Sequence, residues 1–184
     1  MIETIELHPK TIRGPFSFYL NGRETSLLTM LVDSVKPKVV LEFGCNVGMT
    51  AKRVLENIPG IERYVGVDVP FDHKTTLVCQ SSEVPLHPGC YADDPRFWLL
   101  IADRELTHDD LEPVDAVFID GDHSFDGVMH DSRLARELIR SPGIIVWHDF
   151  LNPSVDVTKV LDQLSEEGWP IVGIKNSWLA FTKI

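Results

Sequence analysis

Five short apolar runs, each closing on a glycine turn or an acid, constrain the fold of this chain more than any other feature. They are residues 38–43 (KVVLEF), 63–67 (RYVGV), 97–102 (FWLLIA), 115–119 (DAVFI) and 144–147 (IIVW). Their C-terminal ends lead, in order, into Gly44-Cys45-Asn46-Val47-Gly48, Asp68, Asp103, Asp120 and His148-Asp149. Short continuous apolar runs read as strands buried on both faces. Helical patterns over 25–35, 49–58, 124–139 and 155–167 lie among them, with Ser124 as a cap and Asp126 in a first turn, where it suits the helix dipole. This alternation predicts a parallel α/β sheet. Two final strands, 171–174 and 178–182, are joined by too few residues for a crossover, so they form an antiparallel hairpin.

Residues 1–24 carry Pro9, Gly14, Pro15 and Gly22 and read as an arm or lid ahead of one domain, 25–184. Residues 69–95 hold Pro70, Pro85, Pro88 and Pro95 without a clean period, apart from a short helix expected near 75–82. Long irregular segments in compact domains are often lids. A length of 184 residues suits a single domain. Lys and Arg total 17 against 28 Asp and Glu, a net charge of −11 that repels a nucleic-acid backbone. No apolar run approaches the ~20 residues of a membrane span, and no secretory leader is visible. Cysteines 45, 79 and 90 form no C-x-x-C pair, which fits a reducing, cytoplasmic setting. The expected partner is a small-molecule substrate. An arm can also exchange with a second copy, so a homo-oligomer stays open.

In open α/β sheets ligands bind outside the carboxyl ends of the strands. Four successive strand ends carrying Asp therefore point to one site, although Asp is also a good turn residue. The turn after the first run opens a helix, and its glycines let backbone approach a ligand at a helix N-terminus. It is neither a P-loop nor a G-x-G-x-x-G, because position 46 is Asn. Asn tolerates the left-handed conformation, so the turn survives. Glu42, one residue from the end of a buried strand, needs a partner: a protein N–H, a Lys, a ligand amine or a water. Asp68 is placed to accept hydrogen bonds from ribose hydroxyls of an NAD-type or adenosyl cofactor. Asp120, His148 and Asp149 end neighbouring strands and can converge, and two carboxylates with an imidazole suit a divalent cation. His123, three residues after Asp120, is a further ligand or a general base. His130 and Asp131 read as a solvated or locally bonded helix face, and Trp98 and Trp147 as core.

The segments LEFGCNVG, VGVDV, LLIAD, FIDGDHSFDGV and GIIVWHD, in this order, resemble a class I S-adenosylmethionine-dependent methyltransferase. The DGDHSFDGV segment is most similar to small metal-dependent O-methyltransferases that tailor sugars and antibiotics. The resemblance implies a Rossmann-like, doubly wound, seven-stranded sheet, mostly parallel, with an antiparallel strand in the C-terminal hairpin. It implies that Glu42, Gly44 and Gly48 surround the methionine part of S-adenosylmethionine, with Cys45 and Asn46 of the same turn also binding the cofactor. Asp68 would hold the ribose, Ala102 and Asp103 the adenine, and Asp120 would also face the cofactor. Mg²⁺ or another divalent cation would sit on Asp120, His148 and Asp149, orienting a substrate hydroxyl and lowering its pKa. Asp120, His123 and His148 are the candidate catalytic residues. Asn46 stands where the common pattern has Gly, and His148-Asp149 where familiar members have Asp-Asn or Asp-Asp. The expected activity is methyl transfer to a hydroxyl of a small polar molecule. The alternatives are an NAD(P)-linked oxidoreductase and a metal-free methyltransferase with His123 or His148 as base.

Overall fold

A computed structural model describes residues 1–14, 20–74 and 84–184. The short helix expected near 75–82 lies outside the described residues. The strands are β1 (Glu3–Ile5), β2 (Val39–Phe43), β3 (Arg63–Asp68), β4 (Phe97–Ile101), β5 (Val114–Ile119), β6 (Ile139–Trp147), β7 (Val172–Ile174) and β8 (Ala180–Lys183). They form one sheet in the order β1-β7-β8-β6-β5-β2-β3-β4. All neighbours run parallel except β8, which is antiparallel to both β6 and β7. The mostly parallel α/β sheet and its C-terminal hairpin are as expected. The count is eight rather than seven, because residues 3–5 of the arm pair with β7. Three residues are too few to show a period in sequence.

The described helices are α1 (Gly22–Asp33), α2 (Met49–Asn57), α3 (Phe125–Leu138) and α4 (Val157–Glu166). Asn21 caps α1 by accepting from the Glu24 N–H, while its own amide donates to the Glu24 carboxylate. That reciprocal capping box starts the helix at residue 22 rather than 25. Ser124 caps α3 by accepting from the Gly127 N–H.

Strand alternation divides the core in two. Val40, Ala116, Phe118, Ile144 and Val146 pack with α1 and α2. Leu41, Phe43, Val117, Ile119, Ile145 and Trp147 pack with α3 and α4. The sheet is thus covered on both faces, as parallel sheets require. Trp147 is fully buried, but Trp98 lies on the edge strand β4, is 57% exposed, and has the Arg63 guanidinium over its ring.

Register sets up the site. Phe43 pairs with Val67 and with Ile119, and Ile119 with Trp147. The next residues, Gly44, Asp68, Asp120 and His148, therefore stand level along one rim. The chain crosses from one half of the sheet to the other between β2 and β5, where such folds open a crevice.

Candidate active site

A cleft of about 660 Å³ opens at this rim. Gly44, Cys45, Asn46, Asp68, Ala102, Asp103 and Asp120 line it, as do His123, His148 and Asp149. Gly48 is not on the lining: it sits under the turn, where a Cβ would meet the Ala92 Cβ at 2.8 Å. Nor is Glu42. It shares its strand face with Val40, so alternation turns it toward α1 and α2, where it is 1% exposed. Its partner is the Tyr64 hydroxyl, which donates at 3.0 Å. Burial pushes Glu42 well above the ordinary carboxyl range, and that hydrogen bond only partly offsets it.

The turn is built tightly. The N–H groups of Gly44 and Cys45 donate to the Val67 carbonyl at 2.9 and 3.0 Å. Gly44 has φ +78°, and a Cβ there would lie 2.2 Å from the Asp120 carbonyl oxygen. No side chain fits between β2 and β5 at this point. Asn46, at φ +46°, keeps the left-handed turn, and its N–H donates to Asp68 at 2.5 Å. The other Asp68 oxygen accepts from Val69 at 2.8 Å. Burial raises Asp68, and these two N–H groups hold it back in part. Each oxygen keeps a further lone pair for a ligand hydroxyl.

Deeper in the cleft, Asp120, His123 and Asp149 bring one ligand atom each to within 4.8 Å of one another. His123 Nε2 is 3.0 Å from Asp149 and 3.5 Å from Asp120. His148, expected as the third ligand, stands behind them. Its Nδ1 faces Asp120 at 3.1 Å and Asp149 at 3.4 Å, and its Nε2 faces Glu24 at 3.5 Å. Burial opposes charge on both histidines, but the carboxylates outweigh it. They push His123 up to about 10 and His148 up to about 12. Burial likewise opposes charge on Asp120 and Asp149, and the histidines outweigh it, so both stay below the usual carboxylate range. Asp149 holds φ +60° and accepts from the Asn152 amide at 2.6 Å.

One acid of the site escaped the sequence reading. Glu24, buried on α1, accepts the Trp178 N–H at 2.7 Å and so joins α1, the hairpin and His148. The N-x-x-E box at 21–24 was its signal. His130 and Asp131, expected as a solvated or locally bonded face, both line the cleft, and His130 Nε2 lies 2.9 Å from the Leu106 carbonyl.

Residues 41–150 match a family described as a methyltransferase domain. The chain belongs to that family. The methyltransferase therefore bears out the resemblance read from its motifs, and the match favours it over the oxidoreductase alternative. No curated protein matches the sequence. Solved structures of similar fold include methyltransferase PaMTH1 of Podospora anserina bound to SAH (S-adenosylhomocysteine), at 18% identity and TM-score 0.66, covering 89% of this chain and 79% of that one. The O-methyltransferase TomG of Streptomyces achromogenes, involved in tomaymycin synthesis and in complex with SAM (S-adenosylmethionine), gives 14%, 0.61, 90% and 81%. The Bacillus cereus O-methyltransferase in complex with SAH gives 16%, 0.58, 90% and 82%. At these identities the likeness establishes the fold. No described helix of the methyltransferase is long and apolar enough to cross a membrane.

Proposed function

We propose that this methyltransferase moves the methyl group of S-adenosylmethionine to a hydroxyl of a small polar molecule, with a divalent cation such as Mg²⁺ at Asp120, His123 and Asp149. One observation carries the reading: the Gly44–Asn46 turn and the acid–imidazole group line the same cleft. Its volume suits a nucleoside-sized ligand. Two carboxylates and an imidazole suit a hard or borderline divalent ion. His123 takes the place of His148 in this ligand set because it forms the compact group with Asp120 and Asp149, while the far nitrogen of His148 faces Glu24. The SAM and SAH complexes and the O-methyltransferase names among similar folds support the same reading.

When bound, S-adenosylmethionine supplies a methyl group made electrophilic by its sulfonium, and the cation supplies Lewis-acid polarisation of the acceptor hydroxyl. The protein does the rest. The Gly44–Asn46 turn holds the amino-acid end, and Asp68 takes the ribose hydroxyls. Asp120, His123 and Asp149 orient the acceptor, and His148 and Glu24 hold those carboxylates in place. Either route, a cation on His123 or His123 as the base, needs a neutral imidazole, whereas the carboxylates favour its protonated form. Loss of methyl transfer on exhaustive EDTA treatment separates the metal route from the metal-free one, in which a histidine takes the acceptor's proton.

A thermal-shift panel tests this. A ligand at a hundredfold over its Kd stabilises by about 2.7 kcal/mol, or roughly 5–10 °C for a chain of this size. Such shifts are expected with S-adenosylmethionine or S-adenosylhomocysteine and not with NADH. Mg²⁺ should shift the wild type but not Asp149→Asn. No shift with either adenosyl compound at millimolar levels overturns the reading.

A further inference from the structure

Helix α3 buries one stripe, carrying Val128, Leu134, Ala135 and Leu138. Asp131 falls three residues after Val128 and four before Ala135, at the margin of that stripe, and is half-buried. Its Oδ2 stands 3.5 Å from where a Cβ on Gly121 would lie, so it reaches the rim between β2 and β5. It lines the cleft. No hydrogen bond or ion pair joins it to any described residue. Burial, with the nearby charges of Asp122 and Glu105, pushes its carboxyl up to about 8. A half-buried carboxyl with no protein partner on a ligand wall keeps both oxygens for the ligand.

The place on the rim says which part of the ligand that is. Asp68, ending β3, is the ribose position. The base must then lie further along, over the segment that follows β4, where Ala102, Asp103 and Leu106 line the cleft. His130, next to Asp131 on α3, meets the Leu106 carbonyl at 2.9 Å, so this turn of the helix packs against that segment, and the charges nearest Asp131 are Glu105 from it and Asp122 from the segment after β5. This end of the cleft is rich in acceptors, so it selects a base that presents N–H donors.

We propose that Asp131 is an adenine-recognition residue, accepting the exocyclic amine N–H on one carboxyl oxygen and donating its own O–H to the adjacent ring nitrogen. The proposal rests on the S-adenosylmethionine reading above. It makes Asp131, on helix α3, a binding residue beside the strand-end acids.

Calorimetric titration with S-adenosylhomocysteine tests it on three proteins. Asp131→Asn keeps one acceptor and one donor at the same size, and should bind within threefold of the wild type. Asp131→Leu removes both and should bind 10- to 100-fold more weakly, while its ligand-free melting temperature equals or exceeds the wild type's. Asp131→Ala serves in its place if the leucine does not fit. Binding by the Leu or Ala variant within threefold of the wild type overturns the proposal. So does an Asn variant as weak as the Leu variant, since charge and not the paired hydrogen bonds would then be recognised. A wild type that gives no heat removes the cofactor reading itself, an outcome distinct from either.

Discussion

Asp131→Asn should stabilise the ligand-free protein, and only above mildly acidic pH. A free aspartate titrates near 3.8, whereas Asp131 in the folded chain titrates at about 8. In the window between those values the native state holds a proton that the unfolded state has released. Unfolding there releases a proton, so stability falls as pH rises through the window. About four powers of ten separate the two affinities, at about 1.4 kcal/mol each, which sets a ceiling of about 5–6 kcal/mol. Water entering the cleft screens part of this, so about 2–3 kcal/mol is the expected size. Asparagine carries no proton to lose. The assay is urea unfolding of both proteins at pH 5 and pH 8.5, comparing the variant-minus-wild-type difference at the two values. That subtraction cancels Glu42 and Asp68, whose raised carboxyls are common to both proteins. The variant should gain about 2–3 kcal/mol on going from pH 5 to pH 8.5. A difference that does not change with pH refutes the reasoning, because Asp131 would then be hydrated and ordinary.

Gly44→Ala should lower stability by about 1–3 kcal/mol in urea unfolding and abolish S-adenosylhomocysteine binding, since its Cβ meets the Asp120 carbonyl oxygen at 2.2 Å and φ is +78°. Glu24→Gln should cut methyl transfer about tenfold and cost about 1–2 kcal/mol, because the charge facing His148 is lost. Burial of Glu24 is outweighed by His148 and the Trp178 N–H, which lower its pKa. Its contribution is therefore present at neutral pH and lost as pH falls below the ordinary value of 4.5. The Gln variant should accordingly show a shallower acid-unfolding slope. Ser124→Ala should cost about 1 kcal/mol by removing the α3 cap, with amide exchange rising first in the first turn of that helix.

Individual residues show where local pattern was enough. Asp68, Asp120 and His148 were legible as rim residues because an apolar run fixes where a buried strand stops, and parallel strands in register stop together. The glycine turn was legible because a helix start after a strand has few chemical solutions. Glu42 was misplaced because its location at a strand end was read without its parity: it faces the same way as Val40, toward α1 and α2. The exposure of Trp98 was not legible, because composition does not say which strand lies at the edge.

By itself the sequence determined the alternating α/β architecture, the antiparallel hairpin and the row of acids, since each follows from periodicity over a few neighbouring residues. Only the tertiary structure decided that His123 joins His148 at the two carboxylates, that Glu24 reaches a histidine 124 positions away in the chain, and that Asp131 lines the cleft. Those outcomes depend on helix rotation and on the packing of segments distant in sequence. Burial, which sets the cost of every charge in this cleft, is a property of the assembled layers and of no single stretch of chain.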